Sequence, residues 1–215
     1  MKNRWMSISC TFLFTLLAIL LAPARADMTY GFTRLTGDDT AGPLTLTVSP
    51  AGDNAVRFKF ENFGEGVITD IYFADGTLKE MAAPVDNDGV DGVDFDISSV
   101  TLPPGELPWT PTQQFSASAV PSPMKTGVEL NEYVEILFDL LGDYGYDDVI
   151  AAIEAGLPYN WGGERPDLSL IIGVHVQGTS GPWGSEKLVL TPLPGAVLLG
   201  MLGLGYAGMK LRRHA

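Results

Sequence analysis

The chain is nearly without cysteine. Its single thiol, Cys10, lies close to the start, so no disulfide can form within the chain and no cysteine-rich metal centre can be built. Histidine is almost as scarce, with His175 in the body of the chain and His214 at its end. One body histidine cannot make the usual zinc site. A Ser-His-Asp arrangement would need folding to bring a serine and a carboxylate beside it. His175 is therefore read as a strand histidine, hydrogen-bonded or exposed. Basic residues are also few: 13 Lys and Arg against 26 Asp and Glu in 215 residues, a formal charge of −13. Six of the 13 sit near the termini, at Lys2, Arg4, Arg25, Lys210, Arg212 and Arg213. The body keeps seven basic residues against all 26 acidic ones, a formal −19. Such a charge repels phosphates and argues against nucleic acid as a partner. The glycine-rich phosphate loop, the dinucleotide fingerprint and internal repeats are missing as well.

The two ends carry what the body lacks. Lys2 and Arg4 precede an apolar run from Phe12 to Leu21, and Ala24-Arg25-Ala26 follows. This is the order of a secretory signal peptide over residues 1–26, cut after Ala26 by the small-x-small rule. No Arg-Arg pair precedes the run, which points to the general export route. Cys10 lies ahead of the apolar run, so a lipoprotein reading fails and the thiol leaves with the signal. At the other end no charge falls between Lys187 and Lys210. The span from Leu193 to Met209 would make a helix of about 25 Å at about 1.5 Å per residue, at the short end of what crosses a bilayer. Gly200, Gly203, Gly205 and Gly208 suit close packing in a membrane better than a helix in water. Lys210, Arg212 and Arg213 place the last residues inside and the body outside.

Pro192-Leu193-Pro194-Gly195, the Leu/Gly-rich span and Lys210-Leu211-Arg212-Arg213 together resemble the PEP-CTERM sorting signals of Gram-negative bacteria, in their V-P-L-P-A variant. That resemblance implies an exported protein held briefly in the inner membrane, until the membrane protease exosortase cuts near the motif and releases it to the surface. Leu193 stands for the commonest Glu, Thr191 for Val and Gly195 for Ala; these departures bear on which exosortase subtype reads the tail. A second resemblance lies in the body. Residues 71–76 (IYFADG), 93–95 (VDF), 133–138 (YVEILF), 148–153 (DVIAAI), 172–177 (IGVHVQ) and 184–186 (GSE) follow one another in an order similar to a family of secreted bacterial domains that carry such tails. The resemblance implies a context of exopolysaccharide and cell surface, and no particular chemistry.

Between the ends, residues 27–190 form one domain, large enough to bury a core without staples, with 191–215 as the sorting segment. Val56, Phe58 and Phe60 alternate with Arg57, Lys59 and Glu61; Leu44, Leu46 and Val48 alternate with threonines; Val134, Ile136 and Phe138 alternate with Glu135. This period of two predicts strands with one buried face. Ile71 to Phe73 predicts another strand, followed by a tight turn at Ala74-Asp75-Gly76-Thr77. Leu168 to Val176 reads as a central strand, Lys187 to Leu190 as the strand that closes the sheet, and a short strand is expected near Phe115. One helix is expected after Asp147 or Asp148, ending at Gly156 and Pro158. The fold class is mainly β: a β-sandwich with one short α-helix, a signal peptide before it and a single apolar helix after it.

No catalytic constellation emerges. The acidic stretch with Asp86, Asp88, Asp91 and Asp94 offers hard oxygens and glycine turns, but its spacing does not match an EF-hand loop. It reads as a solvated turn, with an irregular Ca²⁺ site as the alternative, and no other cofactor is expected. Carboxylate pairs such as Asp147/Asp148 and Glu132/Glu135 arise freely in so acidic a chain and do not by themselves mark a glycosidase. Trp109, Trp161 and Trp183 could stack on sugar rings; Trp161 and Trp183, in glycine-rich loops, are the named candidates for glycan contact. The sequence thus predicts a non-enzymatic secreted or surface protein acting within exopolysaccharide. A carbohydrate-binding module and, less favoured, a surface hydrolase are the alternatives.

Overall fold

The computed structural model describes residues 26–192, apart from 38–40, 75, 83–91, 99–106, 121–122, 161 and 181–183. The signal peptide with Ala24, the tail with Leu193, Pro194 and Gly195, the acidic residues Asp86, Asp88 and Asp91, and both Trp161 and Trp183 lie outside the described residues.

The strands are β1 (Met28–Thr36), β2 (Leu44–Pro50), β3 (Ala55–Asn62), β4 (Val67–Ala74), β5 (Leu78–Met81), β6 (Phe95–Ser98), β7 (Ser116–Ala119), β8 (Tyr133–Leu140), β9 (Ile171–Gln177) and β10 (Ser185–Pro192). Two helices interrupt them: α1 (Pro123–Thr126) and α2 (Tyr146–Gly156), the latter running into a 3₁₀ turn at Leu157–Tyr159. The protein is mainly β, as the alternation demands. All ten strands belong to one antiparallel sheet in the order β5-β8-β3-β2-β1-β10-β9-β4-β7-β6.

The sheet curls until its halves face each other. Phe73 on β4 lies five strands from Phe58 on β3, yet their ring centroids are 5.1 Å apart. Phe73 also meets Phe138 at 4.8 Å and Phe60 at 6.0 Å, and Phe115 meets Phe138 at 5.3 Å, all edge-on. Edge-to-face rings add packing energy beyond their buried area. The bend runs through β1. Its residues Met28–Gly31 pair with β2, and Tyr30–Thr36 pair with β10, with a bulge between Arg34 and Thr36. The two edge strands, β5 and β6, come together across a cleft of about 550 Å³ whose walls include Met81, Ile97 and Phe115, so the sheet nearly closes.

The alternating runs behave as the period of two requires. On β3, Val56, Phe58 and Phe60 are fully buried while Arg57, Lys59 and Glu61 stay partly exposed. On that outer face Lys59 pairs with Glu61 at 2.7 Å and lies 4.2 Å from the Tyr133 ring centre, while Arg57 approaches Glu135 at 3.2 Å.

Four local expectations differ. β10 does not close the sheet at an edge; it lies in the middle, because both β1 and β9 pair with it. The turn after Ala74 makes no hairpin. β4 pairs with β9 and β7, whereas β5 crosses to the far half to pair with β8. Leu168 and Leu170 precede β9 instead of belonging to it, and Leu168 sits exposed in a turn with φ of 63°. The cap of α2 is Gly145, not Asp147 or Asp148. Asp148, in the first turn, accepts the Gly145 N–H at 2.8 Å, the role that a carboxylate fills at this position. Strand β1 and helix α1 were not legible in the sequence.

Candidate functional site

Strand polarity sorts the fold into two ends. At one end lie the start of β1, the ends of β2 and β10, and helix α2; Met28 is opposite Val48, and Tyr30 is opposite Pro192. Helix α2 caps this end through buried Tyr146, Val149 and Ile153. The Leu170 N–H donates to Ala152 O at 2.8 Å, and the Tyr146 hydroxyl lies 2.9 Å from Ala26 O and 3.1 Å from Val48 O. At the other end no helix as long as α2 is described; the single turn α1 lies there and runs into Val128, which bridges Ile68 near the start of β4. There the β1–β2, β3–β4 and β9–β10 connections meet the approach to β8 around a groove of about 880 Å³.

The groove is built around one buried amide. Asn62, the last residue of β3, is fully buried. Its Nδ2 donates to Gly66 O at 2.9 Å and to Val128 O at 3.0 Å, and its Oδ1 accepts the Gly64 N–H at 2.9 Å. Its backbone carbonyl accepts the Asn131 N–H at 2.7 Å. One side chain thus pins two of the segments that form the groove walls, the β3–β4 connection and the approach to β8. Gly64 has no alternative at its place: a Cβ there would lie 1.9 Å from Ala41 O. On this fixed frame Phe63 is 46% exposed and Leu130 58% exposed. Glu65 and Glu129 join them in the lining, with no basic side chain among the described lining residues. Phe63 and Leu130 thus form a small exposed apolar patch beside two carboxylates.

A second polar feature lies on the outer face. Asp96, Ser118, Asp70, His175 and Lys187 stand directly opposite one another across β6, β7, β4, β9 and β10. Asp70 is its centre. It accepts Ser118 Oγ at 2.7 Å and Thr69 Oγ1 at 3.0 Å, and its Oδ2 is 3.0 Å from His175 Nδ1. Burial pushes the Asp70 carboxyl up, but hydrogen bonds from His175, Ser118 and Thr69 outweigh it and hold the group below its ordinary 3.8. Folding brings a carboxylate, Asp70, beside His175 and a serine, Ser118, to the far side of that carboxylate, the wrong order for acyl transfer. A nucleophilic serine must sit on the imidazole, whereas the Ser118 hydroxyl is committed to the carboxylate.

The linkage follows from the direction of the shift. A lowered carboxyl stabilises the fold fully above the unfolded value of 3.8 and ceases to do so as pH falls through the lower folded value. Asp70→Asn is therefore expected to lower the melting temperature at neutral pH and to flatten its fall below pH 3.8. Thermal unfolding of both proteins across that range checks this; parallel curves would contradict it.

Of the predicted site residues, Asp94 is described: its backbone ties Thr126 to Val120, with Asp94 N–H donating to Thr126 O at 2.8 Å and Val120 N–H to Asp94 O at 2.9 Å. Among the described residues no group of three or more His, Cys, Asp or Glu could hold a metal ion. Ala26 lies two residues before β1, and Pro192 is the last residue of β10. Trp109 is half-buried. Its ring covers Gly173 on the outer face, where a Cβ would come 3.1 Å from Trp109 Cζ2. Sequence reasoning missed Phe63, Leu130, Asn62 and Asp70. The one available signal was Asp70, the only charge in the Val67–Ala74 run.

A curled antiparallel sheet with one end capped and the other grooved defines a β-domain that presents loops from a rigid frame, and it goes no further toward a family. No family model matches the chain, and no curated protein or solved structure matches it either.

Proposed function

We propose that this is a non-enzymatic exported domain, held at the inner membrane by its tail until an exosortase-type protease releases it, and working by contact within an exopolysaccharide matrix at the cell surface. The curled sheet is read as a β-sandwich whose layers share the corner formed by β1 and β10. The observation that carries the proposal is the placing of the ends. The chain enters at Met28 and leaves at Pro192 on the capped end, while the groove opens at the opposite end. A domain tethered through the signal peptide or the tail would therefore turn its groove away from the membrane. The predicted cut after Ala26 falls just ahead of β1, and the Pro192-Leu193-Pro194-Gly195 motif starts as β10 finishes, so both processing steps would leave the sheet intact.

The groove favours the carbohydrate-binding alternative, with Phe63 supplying an aromatic surface. Co-sedimentation of the full chain with extracellular polysaccharide, together with an assay for new reducing ends, tests this reading. Binding without new reducing ends is expected; steady release of reducing ends would replace it with a hydrolase.

A further inference from the structure

We propose that the groove at the end opposite α2 is a saccharide site selective for sugars that carry free amino groups. Three features of the groove lead there. The first is the exposed Phe63 ring, a flat apolar surface of the kind that the C–H face of a pyranose covers, with Leu130 extending it. The second is rigidity: Asn62 fixes the two segments that carry Phe63 and Leu130, and the Glu129 N–H closes its own loop on Glu132 Oε2 at 2.8 Å. A preformed site loses little freedom when a ligand enters. The third is charge. Glu65 and Glu129 line the groove with no basic side chain among the described lining residues, on a chain with a formal charge of −13. Carboxylates accept hydrogen bonds from hydroxyls, and more strongly from an ammonium group. The same field repels uronates.

The groove shape disfavours the main peptide modes. It is walled by turns and strand ends, so no strand edge is offered for strand addition, and its exposed apolar side chains fall short of the long stripe that a helix requires. The inference stands on the groove alone and does not depend on export or on processing of the tail.

The test is calorimetric titration of the full chain with four probes: a β-1,4-linked glucosamine tetramer, its N-acetylated counterpart, a galacturonic acid tetramer and tetralysine. The glucosamine tetramer is expected to bind at least about tenfold tighter than the acetylated one, a difference of the size one charge-assisted contact provides, and to weaken with added salt. The uronate should not bind. Phe63→Ala should abolish binding of both sugars, and Glu65→Gln with Glu129→Gln should erase the preference for the amine. Phe63 and both glutamates are outside the core, so these variants are expected to fold, which circular dichroism checks. Equal affinity for the amino and acetylated tetramers would overturn the selectivity. Binding of tetralysine as tight as glucosamine, or no binding of glucosamine at millimolar concentration, would overturn the saccharide site itself.

Discussion

Phe73→Ala is expected to cost about 3–5 kcal/mol, the range for removing a large buried aromatic side chain, and so to lower the melting temperature by about 10 °C in a domain of this size. Phe73 is fully buried and meets three rings of the facing half of the sheet: Phe58, Phe60 and Phe138. Its loss opens a cavity where the two halves of the sheet meet, and rings held by separate strands cannot easily collapse into it. Phe63→Ala is the matched comparison. The same ring leaves an exposed site, and the cost should stay below about 1 kcal/mol. A double-mutant cycle between Phe73 and Phe138 should show a coupling of at least about 0.5 kcal/mol, as residues in contact do. Additive effects would mean that β4 and β8, six places apart in the strand order, do not pack together in solution.

The second large effect is expected at Asn62. Asn62→Ala removes three hydrogen bonds and strands Gly66 O and Gly64 N, while Val128 O keeps the Ile68 N–H at 3.0 Å. Leaving buried polar groups without partners costs about 1–3 kcal/mol each, with incomplete additivity. A total near 3 kcal/mol is expected. Asn62→Asp should be no better. It keeps an acceptor for Gly64 N–H but turns a carboxylate toward two carbonyl oxygens, where only the amide NH₂ can donate. Both variants should also loosen the loops that carry Phe63 and Leu130. Chemical denaturation gives the stability, and hydrogen exchange at residues 63–66 and 128–131 gives the loop order. A neutral Asn62→Asp would contradict the role assigned to this amide.

The strands were legible where one face is buried and the other wet. β2, β3 and β8 alternate because only one side of each meets the core. β4 and β9 are buried on nearly all positions, so their pattern loses the period of two and their ends blur; Leu168 and Leu170 were absorbed into the β9 run for that reason. β1 was missed because its pattern is diluted. It serves both halves of the sheet, and Gly31 and the Arg34–Thr36 bulge break its alternation. Strand order was beyond local reading. The crossing from β4 to β5, and the central place of β10, are set by which surfaces find each other across the whole chain. Asp70 and His175 meet only through that pairing. Phe63 and Leu130 stand 67 residues apart in sequence and share a groove because Asn62 holds both loops. Neither could be singled out from a chain with 10 Phe and long apolar runs.

On the proposed reading, everything functional lies between two segments removed during export, with the groove facing outward in the interval. Intact mass spectrometry of the protein recovered from outside the producing cell tests it most directly. A species that starts at Asp27 and lacks Lys210 to Ala215 is predicted. A species that starts at Asp27 and keeps those last residues would show a permanent anchor and contradict the sorting account.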